Sequence, residues 1–389
     1  MIKIAKWKYN AKSPVMFMVD DLANLWIKKS KKDTLQLGED WGHFGDTHNS
    51  MWDFLDKNLY SLYPYIKTTF FLVTDKRSSE TKDTKYSYAE AIDRDGSFMN
   101  FLERLHRDNK VELAYHGTTH GEATSTGLKQ EWLTYTSLEE AIAIIEHGKR
   151  LYKKVLGEYP RGGKYCGYEK GDYGDVSINK TAFSWWCRDW DGELEKDSTR
   201  EDLSYDLEYF GNVIDIPTTI DGSFLSMKKP KISKKYLRTL YKFFIRRQSL
   251  EKDIYSLYQN RQIINIQEHS SPYRTDKKIQ YPNIISDIKN LQYIFKLLAD
   301  LDVWYATGSE IADYFHLYSN IEIKEDENSF IFLWDKSINC KEGSIVTLII
   351  DKNIPIEIEC EGKEYISYAK NSLTLIDIPI YADVKYQIL

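Results

Sequence analysis

Long hydrophobic runs are missing from this chain. No stretch approaches the roughly 20 consecutive apolar residues that a membrane-spanning helix needs. The first residues, Met1–Phe17, carry positive charge but contain no apolar run long enough for a secretory signal. We therefore expect a soluble protein without a transmembrane segment that acts in the cytoplasm.

Cysteine is scarce, and its spacing excludes two classes of site. The four cysteines form no Cys-x-x-Cys pair, which is the usual arrangement in cysteine-based zinc sites and in redox motifs. We expect free, reduced thiols rather than a disulfide framework. The four residues are Cys166, Cys187, Cys340 and Cys360.

An excess of positive charge is also absent. The formal net charge is −6, so the chain lacks the basic footprint of a nucleic-acid-binding protein, and no nucleic-acid partner is expected. Aromatic residues are abundant, with 29 Tyr and 10 Trp. Two explanations stay open: ordinary core packing with a compositional bias, or exposed rings on which sugars stack.

The length of 389 residues predicts one large and one small domain. Up to about residue 315, strand-like runs alternate with helix-like stretches, which predicts a parallel sheet with helices outside it. Seven strands suit an α/β fold, a distorted (β/α)7-type barrel, with reactive residues at the carboxyl ends of the strands. The predicted strands are Val15–Val19, Ile66–Val73, Val111–Tyr115, Ala182–Trp186, Val213–Pro217, Ile263–Ile266 and Val303–Ala306. The predicted helices are Ser50–Tyr63, Ser97–Asn109, Ser137–Leu156, Ser233–Gln259, Ile284–Asp302 and Ser309–His316.

The pattern changes after about residue 318. Short β-rich runs follow one another there, separated by turn signals and without an intervening helical pattern. This pattern predicts a small antiparallel β-sandwich. We expect a barrel domain over residues 1–318 and a C-terminal β-sandwich domain over residues 319–389.

Two strand-like segments each end in side chains that bind metal ions. Val15–Asp21 ends in two aspartates, and Val111–His120 ends in His-Gly-Thr-Thr-His. Two histidines and one carboxylate form the ligand set of a hydrolytic zinc site with one position open for water. The remaining carboxylate can act as a base. The alternative is that the aspartates cap a helix, which is a common use of this residue.

Three motifs, in this order, resemble those of the polysaccharide deacetylases of the NodB-homology type, also called carbohydrate esterase family four. The first is a strand that ends in Asp20-Asp21. The second is a His-(Ser/Thr)-x-x-His box, which is His116–His120 here with Gly at its second position. The last is Leu-x-x-His, which is Ile266–His269 here. The resemblance covers about residues 10–315.

Two further motifs of this family match only in part. The third usually contains Arg followed by Pro, an aromatic residue and Gly, and the best candidate is Pro160–Tyr165 with a different order. Either Arg161 or Lys164 would steady the catalytic aspartate, and we favour Arg161. The fourth motif is an Asp-Trp pair, matched by Asp189-Trp190.

The resemblance implies a role for each motif residue. Asp20 would be the general base, and His269 would protonate the departing amine with Asp189 as its carboxylate partner. A loop histidine bonded to the backbone is the alternative for His269. The divalent metal would be zinc, with cobalt, nickel, manganese and iron as alternatives. Its ligands would be Asp21, His116 and His120.

Candidate substrate-binding residues lie in two segments. The loop 38–48 follows the first strand and is rich in polar and aromatic residues, so it either closes over a sugar or is a polar loop anchored by Trp41. The Trp-rich run 185–190 either forms an aromatic floor for a sugar or belongs to the core. The candidates for substrate contact are Trp41, His43, His48, Tyr165 and Trp190.

The leading functional hypothesis is a metal-dependent hydrolase that removes N-acetyl or O-acetyl groups from a glycan or glycan precursor. The missing secretion signal favours a substrate made inside the cell, such as an intermediate of surface-polysaccharide assembly. One alternative is an amidohydrolase of the same barrel that acts on a non-sugar amide. The other is a catalytically silent glycan-binding protein that binds through its β-sandwich.

Overall fold

The computed structural model describes most of the chain. The described residues are 1–42, 49–79, 87–188, 205–225, 247–248, 250–274, 277–335, 337–338, 340–351 and 355–389. Among the described helices, none combines the length and the apolar character that crossing a bilayer requires.

The chain divides into two compact units. The larger unit contains Val15–Leu301 and Tyr305–Ser309, and the smaller unit contains Met1–Pro14, Asp302–Trp304 and Glu310–Leu389. A division into domains at residue 318 stays a prediction.

The larger unit is built on a mixed sheet that curls into a half-barrel. Neighbouring strands run parallel, except for Glu208–Phe210, which is antiparallel to its neighbour. The α/β fold with a distorted (β/α) barrel is therefore confirmed. In spatial order the strands are Glu208–Phe210, Val213–Asp215, Trp185–Cys187, Gly162–Lys164, Val111–Tyr115, Thr68–Leu72, Ser13–Leu22, Ile264–His269 and Ile220–Asp221, with Val303–Tyr305 also paired to Ser13–Leu22.

Helices and short ribbons accompany the sheets of the two units. Ser137 caps the longest helix by accepting a hydrogen bond from the backbone N–H of Glu140, as its position before two acidic residues predicts. The α-helices are Met51–Leu55, Gly96–Arg107, Glu131–Thr134, Leu138–Leu156, Gly174–Lys180, Ile284–Ala299 and Gly308–Asn320. Residues 250–259 are helical, whereas most of the predicted helix Ser233–Gln259 lies outside the described residues. Shorter elements are the π-helix Asp56–Tyr60, the 3-10 helices Lys8–Asn10, Cys166–Tyr168 and Gly222–Leu225, and the two-stranded pairs Leu25–Ile27 with Ser87–Ala89 and Gly121–Thr124 with Gly127–Gln130.

One strand of the barrel has no apolar signal in the sequence. Gly162–Lys164 lies between Val111–Tyr115 and Trp185–Cys187. A Cβ on Gly162 would stand only 1.9 Å from the indole of Trp185, and one on Gly163 would stand 2.3 Å from the indole of Trp186. The strand contains glycines because two buried indoles occupy the space where side chains would be.

The smaller unit contains two antiparallel sheets, as predicted for the C-terminal region. Its core includes the rings of Phe330, Phe332 and Tyr386, all buried and in mutual contact. The N-terminal strand Ile2–Ile4, which the sequence did not predict, pairs with Ile345–Ile350. One sheet contains Ile2–Ile4, Ile345–Ile350, Leu373–Pro379 and Tyr368–Lys370, and the other contains Glu322–Asp326, Ser329–Leu333, Lys385–Ile388, Glu357–Cys360 and Lys363–Ile366.

Candidate active site

The two aspartates of the first motif lie at a bulge inside the strand Ser13–Leu22. Val19 pairs with Phe70 and Leu22 pairs with Leu72, so the two aspartates oppose a single residue of the neighbouring strand. Asp21 has a positive φ of 68°, which is uncommon for a residue other than glycine. A bulge re-aims side chains, and here both carboxylates line one pocket. The alternative of a helix cap is therefore wrong.

Asp21 lies beside both histidines of the box. Its Oδ1 atom is 3.1 Å from Nε2 of His120 and 3.7 Å from Nε2 of His116. The carbonyl oxygen of Lys164 lies 3.2 Å from Nδ1 of His116. Because a carbonyl oxygen only accepts hydrogen bonds, Nδ1 carries the proton and Nε2 presents its lone pair.

Burial controls the charge of these three groups. It lowers the pKa of His116 to about 3, and burial together with the Arg77 charge lowers the pKa of His120. Burial alone would raise the pKa of Asp21, but the charge of Arg77 and the hydrogen bond from His120 outweigh it and hold that pKa well below its ordinary range. At neutral pH the group consists of one carboxylate and two neutral imidazoles, which is the protonation state that metal binding requires.

Asp20 is held by a different set of side chains. Nζ of Lys164 lies 2.6 Å from its Oδ2 atom, and Nε2 of Gln267 donates to the same atom at 3.1 Å. The prediction that Arg161 rather than Lys164 steadies Asp20 is therefore wrong, because Lys164 makes the contact. Arg161 is exposed, and its charge acts on Glu112. Lys164 reaches the aspartate because it lies on the strand Gly162–Lys164.

The histidine box is supported by one buried carboxylate. Glu131 is only 1% exposed, and its two oxygens accept hydrogen bonds from three consecutive backbone N–H groups, those of Thr118, Thr119 and His120, at 2.7–2.9 Å. The hydroxyl of Tyr135 donates to the same carboxylate at 2.7 Å. Hydrogen bonds to a charged acceptor are among the stronger ones, so Glu131 fixes the path of the loop that carries both imidazoles.

A buried thiol lies behind the box. His116, His120 and Cys166 form a group whose candidate ligand atoms lie within 4.8 Å of one another. The Sγ atom of Cys166, however, donates to the carbonyl oxygen of His116 at 3.2 Å, and burial raises the pKa of this thiol well above its usual range. We favour Asp21 as the third ligand because its carboxylate is already ionised and faces Nε2 of both histidines.

His269 lies at the same edge of the sheet, where it pairs in register with Asp20. Its Nδ1 atom donates to the carbonyl oxygen of Pro282 at 2.7 Å. A hydrogen bond to the backbone is what the alternative role for His269, a loop histidine, predicts. The ring of His269 nevertheless also lines the pocket. Its Nε2 atom is the nitrogen left for proton exchange. Asp189, the predicted partner of His269, lies outside the described residues, as does Trp190.

Trp41 contacts the site through the guanidinium group of Arg77. It lies in the pocket lining but is fully buried, and the guanidinium of Arg77 stacks 4.1 Å from its ring centroid. Nη2 of Arg77 also donates to Oδ1 of Asp21 at 3.1 Å. His43 and His48, from the same loop, lie outside the described residues.

Other aromatic candidates belong to the core. Tyr165 is fully buried, donates its hydroxyl to Asp175 and packs against Trp132 and Trp186, so its assignment to substrate binding is wrong. Trp185 is also fully buried. The two tryptophans of this strand therefore fill the interior and do not form a floor for a sugar.

The motif residues Asp20, Asp21, His116, His120 and His269 share one pocket of about 270 Å³. Tyr281 lines it with half of its surface exposed. Among the lining residues, Arg77, Gln280 and Tyr281 were missed in the sequence because each lies outside a recognised motif, and Gln267 was missed because it occupies an unassigned position of the motif Ile266–His269. The pocket is lined by Asp20, Asp21, Trp41, Arg77, His116, His120, Leu128, Gln130, Gly167, Tyr168, Gln267, His269, Arg274, Gln280 and Tyr281.

Comparison with known proteins finds similarity in structure but not in sequence. No family model matches the chain, and no curated protein matches it. The chain is similar to Puue allantoinase, with 14% identity and a TM-score of 0.47 over 80% of this chain and 93% of that one. It is also similar to a protein named as a polysaccharide deacetylase from Pseudomonas aeruginosa PAO1, with 14% identity and a TM-score of 0.46 over 80% of this chain and 94% of that one. A protein of the same description from Mycobacterium smegmatis is also similar, with 13% identity and a TM-score of 0.45 over 82% of this chain and 94% of that one.

These neighbours include the class of protein that the sequence motifs resemble. Their identities to this chain are 13–14%, and an allantoinase and proteins named as deacetylases both occur among them. The reaction must therefore be inferred from the side chains of the site.

Proposed function

We propose that this protein is a metal-dependent hydrolase that removes N-acetyl groups, or O-acetyl groups, from a glycan or glycan precursor. One observation carries the proposal. Oδ1 of Asp21 faces Nε2 of both box histidines at 3.1 and 3.7 Å, while Asp20 stands in the same pocket as a separate carboxylate. The site thus contains a ligand set and an independent base.

The residues fit a divalent ion. Asp21, His116 and His120 offer one oxygen and two nitrogen atoms, which suits zinc and also cobalt, nickel, manganese or iron. Atoms separated by 3.1–3.7 Å can share an ion bound at about 2.0–2.2 Å from each. Such an ion would polarise the acyl carbonyl and lower the pKa of bound water.

Asp20 is the proposed general base. Its Oδ2 atom is engaged by Lys164 and Gln267, whereas its Oδ1 atom is buried and has no hydrogen-bond partner within the described part of the chain. Oδ1 is therefore the atom placed to take a proton from the attacking water.

His269 is the proposed general acid. Its bond to Pro282 fixes the ring and leaves Nε2 to deliver a proton to the departing amine. A base and an acid of this kind each contribute about 10²–10⁴-fold to the rate.

The remaining lining supports a sugar as the substrate. Tyr281 presents a half-exposed ring beside Gln130 and Gln280, whose amides can bond hydroxyl groups. We further propose a cytoplasmic substrate, such as an intermediate of surface-polysaccharide assembly.

Acetate release from N-acetylated sugars tests the proposal. We expect wild-type protein to release acetate, and Asp20→Asn to lose at least about 10²-fold in rate while it keeps its metal. An Asp20→Asn variant that keeps full activity would show that the base assignment is wrong. Hydrolysis of non-sugar amides alone would favour the amidohydrolase alternative, and binding of glycans without hydrolysis would favour the silent one.

A further inference from the structure

A chain of hydrogen bonds runs from the proposed base Asp20 into the wall of the pocket. Oδ2 of Asp20 accepts from Nε2 of Gln267 at 3.1 Å, and Oε1 of Gln267 accepts from the hydroxyl of Tyr168 at 2.6 Å. The Tyr168 oxygen lies 2.8 Å from Oγ1 of Thr218, which is fully buried. Asp20, Gln267 and Tyr168 line the pocket, but neither Tyr168 nor Thr218 has a role in the proposed hydrolysis.

The direction of each hydrogen bond in this chain is fixed. Nε2 of Gln267 donates to Asp20, which turns the amide oxygen of Gln267 toward Tyr168. An amide oxygen only accepts hydrogen bonds, so Tyr168 donates its single hydroxyl proton to Gln267. The hydroxyl of Thr218 must then donate to the Tyr168 oxygen. Every donor in the chain therefore points toward Asp20.

Lys164 alone does not orient the Asp20 carboxylate, although its Nζ atom lies 2.6 Å from the same Oδ2 atom. An ammonium group is a compact charge with rotatable donors on a flexible stem. The amide of Gln267 is planar and is held at its oxygen by Tyr168, so its N–H has a defined direction. Gln267 thus keeps Oδ2 toward the wall, and Oδ1 stays without a hydrogen-bond partner in the part of the chain that the structure describes.

Tyr168 contacts both of the groups that touch Oδ2 of Asp20. Its hydroxyl binds Gln267, and the ammonium group of Lys164 lies 4.4 Å from the centroid of its ring, a distance at which the ring face attracts a cation. The backbone of Tyr168 has a φ of +60°. This conformation is unfavourable for a residue other than glycine, and such residues cluster at functional sites.

We infer that Tyr168 is a positioning residue for Asp20: through Gln267, and supported by Thr218, it turns the carboxylate so that Oδ1 is presented to the attacking water. The inference rests on the proposed function. It adds a residue that touches neither the water nor the metal ligands but whose hydroxyl sets the rate, because a catalytic group acts only when its own supports hold it in the productive geometry.

Steady-state acetate release by zinc-loaded protein from N-acetylglucosamine oligomers tests the role of this hydroxyl. Tyr168→Phe keeps the ring beside Lys164 and removes only the hydroxyl, so we expect kcat to fall about 10–10²-fold while KM stays within about twofold. Tyr173→Phe is the matched control. Tyr173 is also half-buried and donates its hydroxyl to the backbone of Thr136, but it is not part of the pocket lining, so both constants should stay unchanged.

Two variants at Thr218 separate the hydrogen bond from packing. Thr218→Val keeps the shape of the side chain but loses the hydroxyl, whereas Thr218→Ser keeps the hydroxyl and loses a methyl group. We expect Thr218→Val to lower kcat and Thr218→Ser to recover most of that loss. A role in packing alone would make Thr218→Ser the more damaging change, and this order would contradict the inference.

Crystal structures of the zinc-loaded wild-type protein and of Gln267→Leu test the inference without activity. We expect the Asp20 carboxylate to turn in Gln267→Leu while the zinc content stays the same. An unchanged carboxylate there, or a kcat within about twofold of wild type in Tyr168→Phe, would overturn the inference. A turned carboxylate in a protein that releases no acetate removes only the proposed function, and normal hydrolysis with an unchanged carboxylate removes only this inference.

Discussion

Gly117 lies directly against the carboxylate of Glu131. A Cβ at Gly117 would stand 2.6 Å from Oε2 of Glu131, and the backbone there has a φ of +87°. The deacetylases that the sequence motifs resemble usually have Ser or Thr at this position of the histidine box. In this chain a side chain would displace the group that holds the box, so the glycine and the glutamate depend on each other.

Gly117→Ala should therefore destabilise the protein by more than its backbone conformation explains. Gly157 is a matched control because its φ is +84° and nothing lies within 4 Å of the point where its Cβ would stand. We expect Gly157→Ala to cost about 1 kcal/mol and Gly117→Ala to cost about 1–3 kcal/mol more. Urea unfolding measures both, and equal costs would show that the contact with Glu131 is unimportant.

Glu131→Gln should weaken metal binding without touching a ligand. The amide presents N–H groups where the loop also presents N–H groups, so at least one of the three backbone bonds is lost. Loss of outer-shell support typically lowers metal affinity by about 10–100-fold. Zinc affinity from competition with a chelator checks this, with Glu122→Gln, a change at an exposed residue of the strand Gly121–Thr124, as the control. An affinity equal to that of wild type would contradict the role given to Glu131.

Lys164→Met should leave a buried, uncompensated carboxylate at Asp20. Removal of one partner of a buried ion pair costs about 3–5 kcal/mol. We expect Lys164→Met to lower the free energy of unfolding by about this amount. The double variant Lys164→Met/Asp20→Asn should lower it by less. Arg161→Met, the matched exposed cation, should change stability by no more than about 0.5 kcal/mol. A larger effect at Arg161 than at Lys164 would favour Arg161 as the residue that steadies the aspartate.

The metal-free protein should lose stability as the pH falls. The folded-state pKa of His116 is lowered to about 3 and that of His120 is also lowered, whereas unfolded histidine has a pKa of about 6.5. Below that value the unfolded chain binds protons that the folded chain does not, so the unfolding free energy decreases from about pH 6.5 downward. The lowered pKa of Asp21 acts in the same direction at still lower pH.

Urea unfolding with a chelator present, at about pH 7 and about pH 5, measures this slope. We expect His116→Asn to reduce the slope and His147→Gln, an exposed histidine beside Asp75, to leave it unchanged. A stability that is flat between the two pH values would contradict the buried, neutral state of the imidazoles.

Much of this fold was accessible from the sequence because apolar runs and turn signals are local. The strand Val111–Tyr115 was predicted with its observed bounds, and the antiparallel character of the C-terminal region is confirmed. The strand Gly162–Lys164 was not predicted because its glycines have no side chains at the places where two tryptophans of another strand lie. The strand Ile2–Ile4 was not predicted because three residues give no periodic signal and the strand that pairs with them lies over 340 residues away.

The residues of the site also differ in whether a local sequence signal predicts them. The motif residues Asp20, Asp21, His116, His120 and His269 do line one pocket, and their proposed roles stay predictions. Their supports were only partly predictable: Lys164 was one of two candidates to steady Asp20, whereas Arg77, which contacts Asp21 from 56 positions away, belongs to no motif. Tyr165 was misassigned because its motif position does not reveal that the ring turns into the core.

Acetate release as a function of added zinc tests the central claim most directly. Wild-type protein stripped of metal should be inactive on its N-acetylated substrate and should regain activity up to about one equivalent of zinc. His116→Ala should bind less than about a tenth of an equivalent and stay inactive, while His147→Ala should behave as wild type. Acetate release that needs no metal, or that survives in His116→Ala, would contradict a hydrolytic metal site formed by Asp21, His116 and His120.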